Sequence, residues 1–154
     1  MIKHYIIVFL ISMVPLIELR GAAVYAGGFG LPVFQSFLVC MIGNMIPVPF
    51  IYFFASKVLE WGADKPFIGK FFTFCLEKGK KGGDKLKEKA GRGLFVALLL
   101  FVGIPVPGTG AWTGTLAASV LNMEAKQTFM AVLCGLILAC VIMMTLSYFG
   151  FSLF

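Results

Sequence analysis

Apolar positions in this 154-residue chain fall into blocks of two kinds. Residues 31–56 and 127–152 carry no charged side chain. Each is long enough to cross a hydrocarbon core as a helix, which takes about 20 residues. The other apolar blocks are interrupted. Residues 5–17 stop at Glu18-Leu19-Arg20-Gly21, and a second short apolar piece follows at 22–30. Residues 94–104 stop at the run from Pro105 to Gly110, and 111–121 follow. Apolar stretches this short suit re-entrant or interfacial segments better than spans. Broken backbone at membrane depth survives only against protein or along a wet cavity. The pattern therefore predicts re-entrant helical hairpins at 5–30 and 94–121, each followed by one transmembrane helix, at 31–56 and 127–152. The same residues also fit four kinked full spans, since proline kinks and tilt are common in membranes.

The two units, 1–56 and 93–154, lie about 90 residues apart, and their breaks match weakly. Pro15-Leu-Ile-Glu-Leu-Arg-Gly21-Ala22 pairs with Pro105-Val-Pro-Gly-Thr-Gly110-Ala111, with one gap. A hairpin returns to the side it left, whereas a span changes sides. Two such units in series therefore have opposite orientations. The expected fold is an all-α integral membrane inverted repeat, an architecture of secondary transporters whose sites lie where broken helices meet.

Composition sharpens this picture. The chain is 60% hydrophobic and 13% charged, with a mean hydropathy of +0.97. Soluble domains run at about 45–50% apolar and about 25% charged, so a soluble body of this size is excluded, and so is intrinsic disorder. The net charge is +6, and residues 57–92 hold fifteen of the twenty charged side chains, ten of them basic. That segment is expected to be a cytoplasmic, interfacial connector near anionic lipid, with an amphipathic stretch at 66–76. No base-stacking module accompanies the basic run, so nucleic acid is not an expected partner. Cys40, Cys75, Cys134 and Cys140 form no CxxC pair, and His4 is the lone histidine; no metal site or other cofactor is expected. Lys3 and the apolar run after it mimic a secretion signal, but Glu18 and Arg20 fit poorly before a cleavage site, so the segment is read as retained.

Candidate chemistry concentrates at the two breaks. An ionisable side chain at bilayer depth costs about 2.5–3.5 kcal/mol to insert and marks a pathway, a relay or a pair. Glu18, once desolvated, can hold a proton. Arg20 and Gly21 are candidate substrate contacts, Arg20 because its planar fork suits phosphate or carboxylate. Alternatively, Glu18 and Arg20 pair with each other or anchor the segment at the interface. The second break offers Pro105, Pro107, Gly108, Thr109, Gly110, Trp112 and Thr113. Its prolines leave carbonyls free, and a half-helix starting after it would aim its N–H groups at an anion. Gly110 and Gly114 also suit close helix packing. Asn44, beside Pro47 and Pro49, is either a substrate contact or a link between helices. Gln35 is a weaker candidate. Neither a nucleophilic triad, a carboxylate pair nor a phosphate-binding loop GxxxxGK[ST] occurs, so an enzyme is not expected.

Glu18-Leu19-Arg20-Gly21-Ala22 after Pro15, together with Pro105-x-Pro107-Gly108-Thr109-Gly110-Ala111-Trp112-Thr113-Gly114, resembles the small multi-drug export proteins. That family is regarded as a distant relative of the DedA/VTT membrane proteins. The resemblance implies paired re-entrant hairpins in an inverted repeat. Its DedA-like branch implies proton-dependent movement of polyprenyl phosphate or other lipids across bacterial membranes. The acidic and arginine tip residues would correspond to Glu18 and Arg20. In DedA-like proteins further acidic and arginine residues accompany the second hairpin, whereas 93–123 here carries no charge.

The expected function is that of a proton-linked transporter or flippase for an anionic, lipid-like amphiphile in a prokaryotic cytoplasmic membrane. Glu18 would be the proton site, and Arg20 and the second break the anion site. The alternatives are a lipophilic-cation/proton exporter and a non-transport membrane scaffold. Two spans and two hairpins make a thin wall, so membrane lipids and further copies of the chain, most simply in a dimer, are the expected partners.

Overall fold

The computed structural model describes residues 1–71, 73, 74, 77, 93–106 and 109–152. Pro107, Gly108, Cys75 and most of the basic connector, 78–92, lie outside the described residues. The described residues form helices and turns without strands. The helices are α1 Ile2–Met13, α2 Glu18–Gly28, α3 Val33–Met45, α4 Pro47–Ala63, α5 Gly93–Gly103, α6 Ala111–Val120 and α7 Ala125–Ser152.

The breaks follow from local chemistry. Val14 takes an extended conformation (φ −72°, ψ 128°), as the residue before a proline prefers, and so α1 ends ahead of Pro15. Pro32 precedes α3 at its cap. Pro47 and Pro49 each remove an N–H from the ladder between α3 and α4. Ile46 nevertheless stays helical and bonds Ile42 at 3.2 Å. The two helices therefore form one kinked rod, Val33–Ala63, long and apolar enough to cross a membrane, as is Ala125–Gly150. The first rod runs past the expected end at residue 56, because Lys57, Glu60 and their neighbours face outward and continue the helix.

Each short helix pair folds back on itself. His4, at the start of α1, bonds the Tyr25 hydroxyl at 3.0 Å and stacks on Phe29, just past the end of α2. α2 therefore returns alongside α1. Likewise Leu94 at the start of α5 shares a cleft with Leu121 and Met123 beyond α6. The core is a seam of small residues. Ala22, Ala23 and Ala26 of α2 are fully buried, as are Ala131 and Cys140 of α7, and the Ser147 hydroxyl donates to the Ala23 carbonyl at 3.0 Å. Cys40 is buried and Cys134 half-buried, and all three described cysteines are free. Among the described residues no group of three or more His, Cys, Asp and Glu could hold a metal ion.

Corresponding features recur at offsets of 90 to 96 residues, most of them at 92. α2 and α6 end in the same motif. Leu31 N–H reaches Ala26 O and Gly30 N–H reaches Gly27 O, as Met123 reaches Ala118 and Asn122 reaches Ser119. These are paired 6→1 and 5→2 bonds of a helix C-terminus, with Gly30 (φ +60°) and Asn122 (φ +54°) left-handed. Gln35-Ser36-Phe37 opens α3 as Gln127-Thr128-Phe129 opens α7. The Tyr52 hydroxyl donates to the Met123 carbonyl, and Tyr148 to that of Leu31. Gly43 of α3 lies against the Phe9 carbonyl of α1, and Gly135 of α7 against the Leu99 carbonyl of α5.

A Cβ at Gly135 would stand 2.7 Å from that carbonyl oxygen and 2.8 Å from Val102 Cβ. Neither atom can rotate away. Gly135→Ala is expected to destabilise the fold by about 1–3 kcal/mol, the usual cost of overpacking. Gly150→Ala, with open space around it, should be silent. Thermal unfolding in detergent separates the two; equal melting temperatures would show that α5 and α7 do not touch there.

Candidate functional site

The two breaks meet. Pro15 ends α1, and the chain turns within Leu16-Ile17 into α2. Leu16 (φ +73°) and Glu18 (φ +49°) both sit in the left-handed region, which costs an L-residue roughly 1–2 kcal/mol. Strain of this kind persists only where surrounding contacts hold it, and the Glu18 side chain supplies them. Its Oε2 accepts the N–H of Ala111 and its Oε1 that of Trp112, both at 3.0 Å. These are the first amides of α6, which have no partner within their own helix. The carboxylate therefore caps a helix 93 positions away and sits at its positive end. Glu18 is buried at 6% exposure, so the bond is shielded from water. Gly110 makes the approach possible: a Cβ there would stand 2.2 Å from Oε2.

Arg20 faces the other side of the second break. Its guanidinium donates to the carbonyls of Val106 (2.5 Å) and Ile104 (3.0 Å) and to Thr109 Oγ1 (2.9 Å). Ile104 and Val106 follow the end of α5, and their carbonyls also accept the N–H groups of Val106 and Thr109 within the break. A cation at a helix C-terminus is also favoured by the dipole. Trp112 closes the set, with its indole N–H donating to the Met13 carbonyl at the end of α1 at 3.2 Å. Each break thus supplies hydrogen-bond partners to backbone groups of the other.

A constriction of about 10 Å³ between the tips is lined by Leu16, Glu18, Thr109 and Thr113. That is about the room of a single water. It adjoins an apolar groove of about 430 Å³ through the shared residues Leu16 and Thr113. The walls of the groove include Ile51, Phe54 and Val58 of α4, and Trp112 and Leu116 of α6.

The structure brings Glu18, Arg20, Thr109, Gly110, Trp112 and Thr113 together. Pro105 is half-buried between the two carbonyls that Arg20 binds. Gly21 lies instead on the Ile17 side chain, 2.3 Å from where a Cβ would be. Asn44 is fully buried, and neither atom of its amide has a partner; it lines none of these cavities. Gln35 accepts a bond from the Tyr5 hydroxyl at 2.5 Å. Pro107 and Gly108 lie outside the described residues. Sequence reasoning missed the groove residues Ile51, Phe54 and Val58. Their spacing of three and four marks one helix face, but uniform hydrophobicity hides that face. It also missed that the amides of Ala111 and Trp112 face Glu18.

No curated protein and no solved structure matches the chain. The sequence profile of the family described as "Putative small multi-drug export protein" matches residues 18–142. That match opens at Glu18, spans both breaks and covers most of the chain, which therefore belongs to the small multi-drug export protein family.

Proposed function

We propose that the chain is a proton-linked membrane transporter for an amphipathic molecule, and not an enzyme. The observation that carries this reading is the pair of 3.0 Å bonds from the α6 amides to Glu18. A site built to hold an anion is filled by a carboxylate of the protein's own. A proton on Glu18 turns one of its two acceptor oxygens into a donor, which frees an amide and removes the competing charge. The amides, with Arg20 beside them, then suit the head of an anionic lipid-like substrate such as a polyprenyl phosphate, while its chain lies in the groove. Proton binding and substrate binding thereby favour one another.

The folded-back helix pairs support re-entrant hairpins. The contacts repeated at offsets near 92 support an inverted repeat, whose halves rock to open the throat to alternate sides. A prokaryotic cytoplasmic membrane and a homodimer complete the proposal. A second reading rests on Glu18 lining the throat while the Arg20 fork is spent on carbonyls. On that reading the head is a lipophilic cation, which competes with the proton for the carboxylate.

Flux into proteoliposomes under an imposed pH gradient tests both. Uptake of a short-chain prenyl phosphate that rises as the pH on the loading side falls is the expected result. Uptake of tetraphenylphosphonium that protons inhibit supports the second reading in its place. Flux of neither, in vesicles that hold folded protein, overturns transport and leaves a scaffold.

A further inference from the structure

A second cavity lies far along the chain from the tips, at the elbow where α4 ends. Beyond Ala63 the chain turns through 64–68, and helical backbone resumes at 69. Gly69 makes the elbow tight. Its N–H bonds the Lys65 carbonyl at 2.9 Å, and a Cβ there would stand 2.5 Å from the Ala63 carbonyl oxygen. The concave side is a cavity of about 440 Å³, lined by Lys65, Lys70, Thr73 and Glu77, with Pro66 and Phe74 beside them.

Three features give its depth and chemistry. First, the elbow closes the membrane-crossing rod, and its aromatics point outward: Trp61 is 62% exposed and Phe67 99%. Aromatic side chains so placed sit at headgroup level in a bilayer. Secondly, Lys65 Nζ lies 4.4 Å above the Trp61 ring, a cation–π contact that fixes the ammonium while leaving its N–H groups available. Thirdly, both signs of charge line one cavity. Two ammonium groups and a hydroxyl suit a phosphate; the carboxylate of Glu77 suits a cation. Over residues 57–77 Lys57, Lys65 and Lys70 balance Glu60, Asp64 and Glu77; the basic excess of the connector lies beyond, at 78–92.

We propose that this elbow is a binding site for the headgroup of an aminophospholipid. Its phosphate lies between Lys65 and Lys70, and its primary ammonium donates to Glu77. A glycerol headgroup has no cation for Glu77. A choline headgroup has no N–H to donate.

Native mass spectrometry of the delipidated full chain in detergent tests the site, with equimolar phosphatidylethanolamine, phosphatidylglycerol and phosphatidylcholine. Retention of phosphatidylethanolamine about fivefold above the other two is expected, from one added charge-assisted hydrogen bond. The double variant Lys65→Ala/Lys70→Ala should lose about tenfold in retention. Glu77→Gln should keep binding but abolish the preference. Equal retention of all three lipids, a preference for phosphatidylglycerol, or a preference that survives Glu77→Gln would each overturn the proposal. All three altered side chains are exposed, and a melting curve of each variant confirms that it is folded.

Discussion

Glu18→Gln is expected to uncouple transport from pH and to weaken the fold in the same stroke. A glutamine amide has the bonding pattern of a protonated carboxyl: one oxygen that accepts and one group that donates. It can take the N–H of Ala111 or of Trp112, but not both, and it lacks the charge that the α6 dipole favours. Losing a charge-assisted bond at a buried site costs about 1.5–3 kcal/mol. The variant should therefore melt several degrees below the parent in detergent. In proteoliposomes it should carry the anionic substrate at a rate that no longer follows the loading-side pH. Full pH dependence in the variant would remove Glu18 from the proton pathway. Unchanged stability would mean that the carboxylate does not hold α6.

Gly110→Ala should have an effect of similar size through the opposite partner. The backbone at Gly110 is extended (φ 160°, ψ −169°), a conformation any residue adopts, so the substitution meets no backbone strain. The obstacle is space. The new methyl would lie 2.2 Å from Glu18 Oε2 and 2.8 Å from its Cδ. The carboxylate must swing away, and both amide bonds go with it, again at about 1.5–3 kcal/mol. In a Glu18→Ala background the methyl has room and the bonds are already gone. Gly110→Ala should therefore cost little there, giving a coupling energy on the order of 2 kcal/mol between the two positions. Additive losses in the double variant would show that Gly110 serves some purpose other than seating Glu18.

Both variants probe one arrangement, in which each hairpin tip supplies what the other lacks. Helix ends leave amides at the start and carbonyls at the finish without partners. In water the solvent takes up these groups; at membrane depth the protein must. Glu18 takes the amides of α6, Arg20 the carbonyls beyond α5, and Trp112 the last carbonyl of α1. The acid and the base at positions 18 and 20 therefore need no direct ion pair to be accommodated. Each finds a helix terminus of opposite partial charge.

How much of this the residues announce in advance depends on the range of the interaction. The all-helical membrane class follows from hydropathy alone, because an apolar run of membrane length has few other places to go. The end of α1 follows from Pro15, and the break after α5 from Pro105 and the glycines, because these act on their own backbone. Glu18 and Arg20 stand out because charge is expensive where they lie. The end of α4 was harder to place. Lys57 reads as a boundary, yet the helix runs on to Ala63, since a long charged side chain can leave the apolar layer without breaking the helix. The packing role of Gly43 and Gly135 was also hidden, because glycine records that something comes close without recording what.

The sequence by itself therefore determined that the chain is helical, where its two short helix pairs break, and which few side chains have no comfortable place in lipid. Only the tertiary structure decided what those side chains do there. The partners of Glu18 are backbone amides 93 and 94 positions away, and those of Arg20 lie 84 to 89 positions away. A backbone amide has the same identity in every residue but proline. No residue pattern marks which amides stand unpaired or which way they face. That is fixed only when α6 is laid against α4 and its first turn is brought onto the tip of the other hairpin.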